Sequence, residues 1–151
     1  MPVGLFWAAE QHANDILREV ALMAAARRDL ADGHRFTEVL AAADSYAQRP
    51  SAVRHRVAES VALAQRQGWD HVTVGLDADA EAADGTLAWE ELLQRFDALS
   101  RDERLLTLPA DAELVAYRAW YVREVVEQVR TGRAPVSWQS VRARTLVGAA
   151  H

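Results

Sequence analysis

The chain of 151 residues contains no cysteine and no lysine; all 17 of its basic residues are arginine. Without cysteine there is no disulfide, no thiolate nucleophile and no thiolate metal site, a composition that fits a reducing cytoplasm. Without lysine, Schiff-base chemistry and a P-loop lysine are excluded. Arginine in place of lysine, with heavy use of alanine, reads as a GC-rich coding bias. No apolar run approaches the 18 or so residues that a membrane span needs. The opening "MPVGLFWAAEQH" lacks a basic segment and a small-residue cleavage site, so no secretory signal is expected. Positive charge is also short: the net charge is -5 and the pI near 5.5. A mildly acidic domain is a poor match for nucleic acid, whose binding rests on neutralising phosphates.

What is present is an ordinary globular balance, 50% hydrophobic and 26% charged, in a length that suits one domain. Apolar residues recur at helical spacing. Phe6, Ala9, Ala13, Ile16, Val20 and Met23 form one stripe and predict a helix over about 5–28. Phe36, Val39, Leu40, Ala43 and Ala47 predict a second over about 34–48, ended by Pro50. Ser51 is a natural N-cap for a third, to about residue 67, with Val53, Val57, Val61 and Ala64 inward and Gly68 closing it. In "WDHVTVGLDAD", Val72, Val74 and Leu76 alternate with polar or small residues, the period of extended chain. One strand makes no sheet, so the segment near 70–77 is expected to be a connector or to pair with a second copy of the chain. A fourth helix over about 79–99 has Leu92, Leu93, Phe96 and Leu99 as its core face, and a fifth, capped by Asp111, runs over about 112–130 until Gly132 and Pro135. The expected fold is an all-α bundle of about five helices with one short extended segment, a single domain over 1–138 and a tail over 139–151.

Catalytic and metal signatures are missing. His34 with Glu38 and His55 with Glu59 stand one turn apart, but no HExxH and no third ligand accompany them, so solvated helix faces are expected. His12, beside the first stripe, reads as a partly buried structural histidine. Glu90 and Glu91 read as a solvated face. There is no G-x-S-x-G, no glycine-rich phosphate loop and no aspartate cluster. The expectation is a chain that is not an enzyme and holds no catalytic residue, no cofactor and no metal.

The segment "VAYRAWYVREVVEQV" (115–129) carries the most information. At 3.6 residues per turn, Leu114, Val115, Ala119, Tyr121, Val122, Val125, Val126 and Val129 fill one wide arc, which predicts the core face. Trp120 falls opposite, among Glu113, Glu124 and Glu127, with Tyr117 at the margin. Two readings follow: Trp120 packs under the C-terminal tail, against Trp138, or Tyr117, Trp120, Glu124 and Trp138 form a surface for a partner. Arg118 lies inside the apolar arc and needs a buried acid; Glu19 is the first choice for that ion pair and Asp97 the second.

"ERLLTLPADAELVAYRAWYVREVVEQV" (103–129) followed by "TGRAPVSW" (131–138) resembles the end of an N-terminal helical domain of actinobacterial ATP-binding regulators, proteins of the anti-sigma-factor serine-kinase type with a histidine-kinase-like ATPase module. The matching positions are Leu105 to Leu108, Tyr117, Arg118, Trp120, Tyr121, Glu124 and Gln128. "HANDILREVALM" resembles the same family's first helix at His12, Leu17, Arg18 and Glu19. No asparagine box or glycine-rich lid is present, so the resemblance does not extend to kinase activity. It implies a cytoplasmic regulatory or sensory domain in stress or sigma-factor signalling that acts through contacts with a protein partner, itself as a homodimer or another signalling protein, and not with nucleic acid or membrane. The alternative is a small-molecule sensor with an apolar pocket between helices.

Overall fold

The computed structural model of the protein describes residues 1–26, 41 and 52–148, and among these it contains five helices and no strand. They are α1 (Val3–Ala26), α2 (Ala52–Arg66), α3 (Ala80–Arg101), α4 (Ala112–Thr131) and α5 (Trp138–Gly148). The helix expected over 34–48 and the Ser51 cap lie outside the described residues. Residues 139–148, expected to belong to a tail, are helical instead.

Local chemistry sets the helix ends. Asp79 caps α3 by accepting from the Ala82 N–H at 2.9 Å, and Asp111 caps α4 by accepting from the Leu114 N–H at 2.8 Å. At the other end of α4, Gly132 adopts a left-handed φ of 66° and donates its N–H to the Gln128 carbonyl. Gly68 does the same kind of service after α2, with a φ of 72°. After α3 that conformation falls to Glu103, at φ 56°, while the Arg104 N–H closes back on the Leu99 carbonyl. A residue with a Cβ adopts this geometry only where its surroundings hold it there.

Two apolar clusters share α1. The predicted stripe of α1 is real: Phe6, Ala13, Ile16 and Val20 are buried. Its first half packs with Val57, Val61 and Ala64 of α2, Leu114, Tyr117 and Trp120 of α4, and Trp138 of α5. Its second half packs with Leu92, Leu93 and Phe96 of α3 and with Leu105. The segment 70–77 is an extended connector across the first cluster. Val72, Val74 and Leu76 rest on it while His71, Thr73, Gly75 and Asp77 are exposed, as their alternation predicts. Its backbone pairs with the first residues of the chain: Val3 N–H donates to the Asp70 carbonyl and Val72 N–H to the Met1 carbonyl, both at 2.9 Å. No helix among the described residues is long and apolar enough to cross a membrane.

Helix α4 departs from the expected wheel. Leu114, Tyr117, Arg118, Trp120, Glu124, Val125 and Val126 are buried, whereas Val115 and Ala119 are exposed. The buried face is turned by about a quarter of a revolution from the valine arc. The reason is coverage: α3 packs along one side of α4, and α1, α5 and the connector close over the side that carries the aromatics. A helix covered from two directions has no single polar face, so apolar content alone misplaces its orientation.

Candidate functional site

Three features bear on function: a buried charge seam, a braced loop and a cleft. The seam lies where the two apolar clusters meet. Arg118, 5% exposed, donates from Nη2 to Asp97 Oδ2 at 2.5 Å, and its Nε stands 3.3 Å from Glu90 Oε2. Asp97 Oδ1 lies 3.1 Å from His12 Nε2 and accepts from the Ala110 N–H at 2.9 Å. One carboxylate thus joins α1, α3, α4 and the loop before α4. Burial by itself would raise the Asp97 carboxyl, but the hydrogen bonds from His12, Ala110 and Arg118 outweigh it and hold the group well below the usual carboxylate range. Glu90 goes the other way: burial dominates, and the nearby Arg118 charge and the Gln94 hydrogen bond do not offset it, so its carboxyl is raised.

The seam corrects two expectations. Glu19 is not the partner of Arg118; Asp97, the second choice, takes that role, joined by Glu90. Glu90 is not on a solvated face but buried, unlike its exposed neighbour Glu91. A signal for both was present in the sequence: Glu90, Leu93, Asp97 and Ser100 follow a three-four-three spacing, one stripe of α3. Reading only apolar letters hides a stripe that is half polar.

Glu19 instead braces the loop after α3. Its carboxylate accepts from the backbone N–H groups of both Leu106 and Thr107, and burial, which would raise its carboxyl, is outweighed by these bonds, which lower it. Leu105 is buried, yet Leu106 is 93% and Leu108 79% exposed. The loop is therefore fixed at Leu105, at Leu106 and Thr107 through Glu19, and at Ala110 through Asp97, while it presents two leucines to solvent.

The aromatic residues named as an interaction surface are internal. Tyr117, Trp120, Glu124 and Trp138 are each buried. The rings of Tyr117, Trp120 and Trp138 lie 5.7–5.9 Å apart pairwise, with Trp138 edge-on to Tyr117. Trp120 Nε1 donates to the Val136 carbonyl at 2.9 Å. The reading in which Trp120 packs under the C-terminal segment against Trp138 is the one observed. Glu124 anchors that segment: it accepts from Arg133 Nη2 at 2.5 Å, from the Val136 N–H at 2.8 Å and from Gln128 Nε2 at 3.0 Å. Burial, which would raise it, is exceeded by these bonds, and its carboxyl is lowered.

Below this strap, residues 132–137, is an open cleft of about 500 Å³ between α4 and the connector. Among the described residues no group of three or more His, Asp or Glu side chains is arranged to hold a metal ion. His55 and Glu59 face each other at 3.2 Å on an exposed turn of α2. His34 and Glu38 lie outside the described residues. His12 is partly buried in the seam, with its side chain 12% exposed. The chain matches no family model, no curated protein and no solved structure.

Proposed function

We propose that this chain is a non-enzymatic, cytoplasmic regulatory domain that acts through protein–protein contacts, and that its contact surface is the loop 105–108. The resemblance of 103–138 to the helical domain of anti-sigma-factor serine-kinase-type regulators supports a role in bacterial stress or sigma-factor signalling. The observation that carries the reading is the exposure of Leu106 and Leu108 on a backbone held at four residues. Burying a leucine is worth about 1.5–3 kcal/mol, so a fold that holds two of them in water forgoes that gain unless another surface covers them. A braced loop also loses little conformational freedom when it docks. Leu22, one turn beyond Glu19 on α1, is also 66% exposed.

The test is site-specific photo-crosslinking in the native host. A crosslinker at position 106 should give one discrete protein adduct, and the same group at exposed Glu91 should not. Leu108→Asp should abolish the adduct. An adduct of twice the chain mass identifies a second copy as the partner. Absence of any adduct at 106, or equal labelling from both positions, refutes the assignment.

A further inference from the structure

A second site, distinct from the leucine loop, is built under the strap. The cleft of about 500 Å³ has the connector's Val74 and Leu76 on one side, Tyr121, Val125 and Val129 of α4 on the other, and Val136 of the strap closing one end. Its volume falls within the range of about 300–1,000 Å³ typical of small-molecule sites. Of the charged groups that line it, Glu124 and Arg133 are committed to each other and to the strap, and the terminal ammonium of Met1 donates to the Val72 carbonyl at 2.7 Å. Glu124 accepts from Arg133, Gln128 and the Val136 N–H; Arg133 donates Nη2 to Glu124, Nε to Glu127 at 2.5 Å and Nη1 to the Ala134 carbonyl at 2.9 Å. The indole N–H of Trp120, on the same wall, is likewise taken by Val136. An incoming ion would therefore meet charged groups that already hold partners and would shed its hydration for little return. An uncharged apolar molecule meets valine, leucine and a tyrosine ring and displaces water from them.

We infer that this cleft binds a neutral, predominantly apolar small molecule, held by the connector, α4 and the strap. Occupancy would bridge the strap to the body of the fold, and the strap leads directly into α5 at Trp138. The inference is independent of the partner surface, because no residue of the loop 105–108 lines the cleft.

The probe is N-phenyl-1-naphthylamine, an uncharged dye whose emission rises on leaving water, titrated into the full chain. Saturable binding is expected, with energy transfer from tryptophan. Its sulfonated analogue, 8-anilinonaphthalene-1-sulfonate, carries the same rings with a negative charge and is expected to bind at least about tenfold more weakly. Val129→Trp fills the cleft from α4 and Val74→Trp fills it from the connector. Each variant, checked for an unchanged far-UV circular dichroism spectrum, should weaken the neutral dye by at least about tenfold. Leu106→Asp should leave the dye unaffected. No saturable emission with the wild type, or undiminished binding by both folded tryptophan variants, overturns the site. Equal affinity for the two dyes overturns the neutral-ligand assignment.

Discussion

Asp97→Asn is the substitution that most directly tests how this bundle holds together. The asparagine side chain has the same size, and its single carbonyl oxygen can still accept from the Ala110 N–H where Asp97 Oδ1 does now, at 2.9 Å. The cost is that its amide nitrogen then points at Arg118 Nη2, where Oδ2 now accepts at 2.5 Å. Two donors face each other and a guanidinium that is 5% exposed loses its closest counter-charge. Glu90 does not replace it: its carboxylate is 3.3 Å from Nε, and neither Nε nor Nη1 of Arg118 has a hydrogen-bond partner. Removing one partner of a buried pair costs about 3–5 kcal/mol. For a chain of this size each kcal/mol moves the melting temperature by about 2–4 °C, so a fall of roughly 6–20 °C is expected. Differential scanning calorimetry of the wild type and Asp97→Asn at neutral pH measures it directly. A shift of under about 2 °C would mean that Arg118 is solvated in solution and that the charge seam contributes nothing to holding α1, α3 and α4 together.

Glu90→Gln, in contrast, leaves the Asp97–Arg118 pair intact and removes a carboxylate whose burial disfavours its charge; chemical denaturation at neutral pH should show a change of at most about 1 kcal/mol. Acid titration followed by circular dichroism should show stability falling as pH drops below about 4. There the unfolded chain takes up protons that Asp97, Glu19 and Glu124, with lowered folded-state values, do not. Asp97→Asn should flatten that descent. Glu90 has the opposite sign, favouring the folded state at low pH and losing that contribution as pH rises through its raised value. Trp120→Ala removes a buried ring from the three-ring cluster and the bond to Val136, and should cost about 3–5 kcal/mol in urea unfolding; an unchanged midpoint would contradict its internal packing. Leu106→Asp with Leu108→Asp touches only exposed side chains and should stay within about 0.5 kcal/mol of the wild type in the same assay.

Much of the fold was legible along the chain. The three-and-four spacing of α1, the buried Val57, Val61 and Ala64 of α2, the caps at Asp111 and Gly132, and the alternation of the connector all report local geometry, which neighbouring residues decide. The candidate sites were much less so. Helix α5 went unread because its sequence "WQSVRARTLVG" lacks a clear apolar stripe; it is secured through Trp138 at its first turn, a tertiary contact. Glu90 reads as surface because adjacent glutamates usually are, and nothing local to Glu19 shows that the loop after α3 claims its carboxylate.

The sequence by itself determined that α1, α2, α3 and α4 are helical, that Asp111 and Gly132 bound α4, and that Arg118 requires an acid. These follow from side chains within a few residues of one another and from the cost of a lone buried charge. Only the tertiary structure decided which acid, and which side of α4 is inside. Asp97 is chosen over Glu19 because the packing of α3 on α4 brings it to 2.5 Å from the guanidinium, while the loop after α3 occupies Glu19 with two backbone N–H groups. Trp120 is enclosed because the strap folds back over it and seats Trp138 on the same cluster. Both choices depend on contacts between segments far apart in the chain, whose arrangement no local spacing encodes.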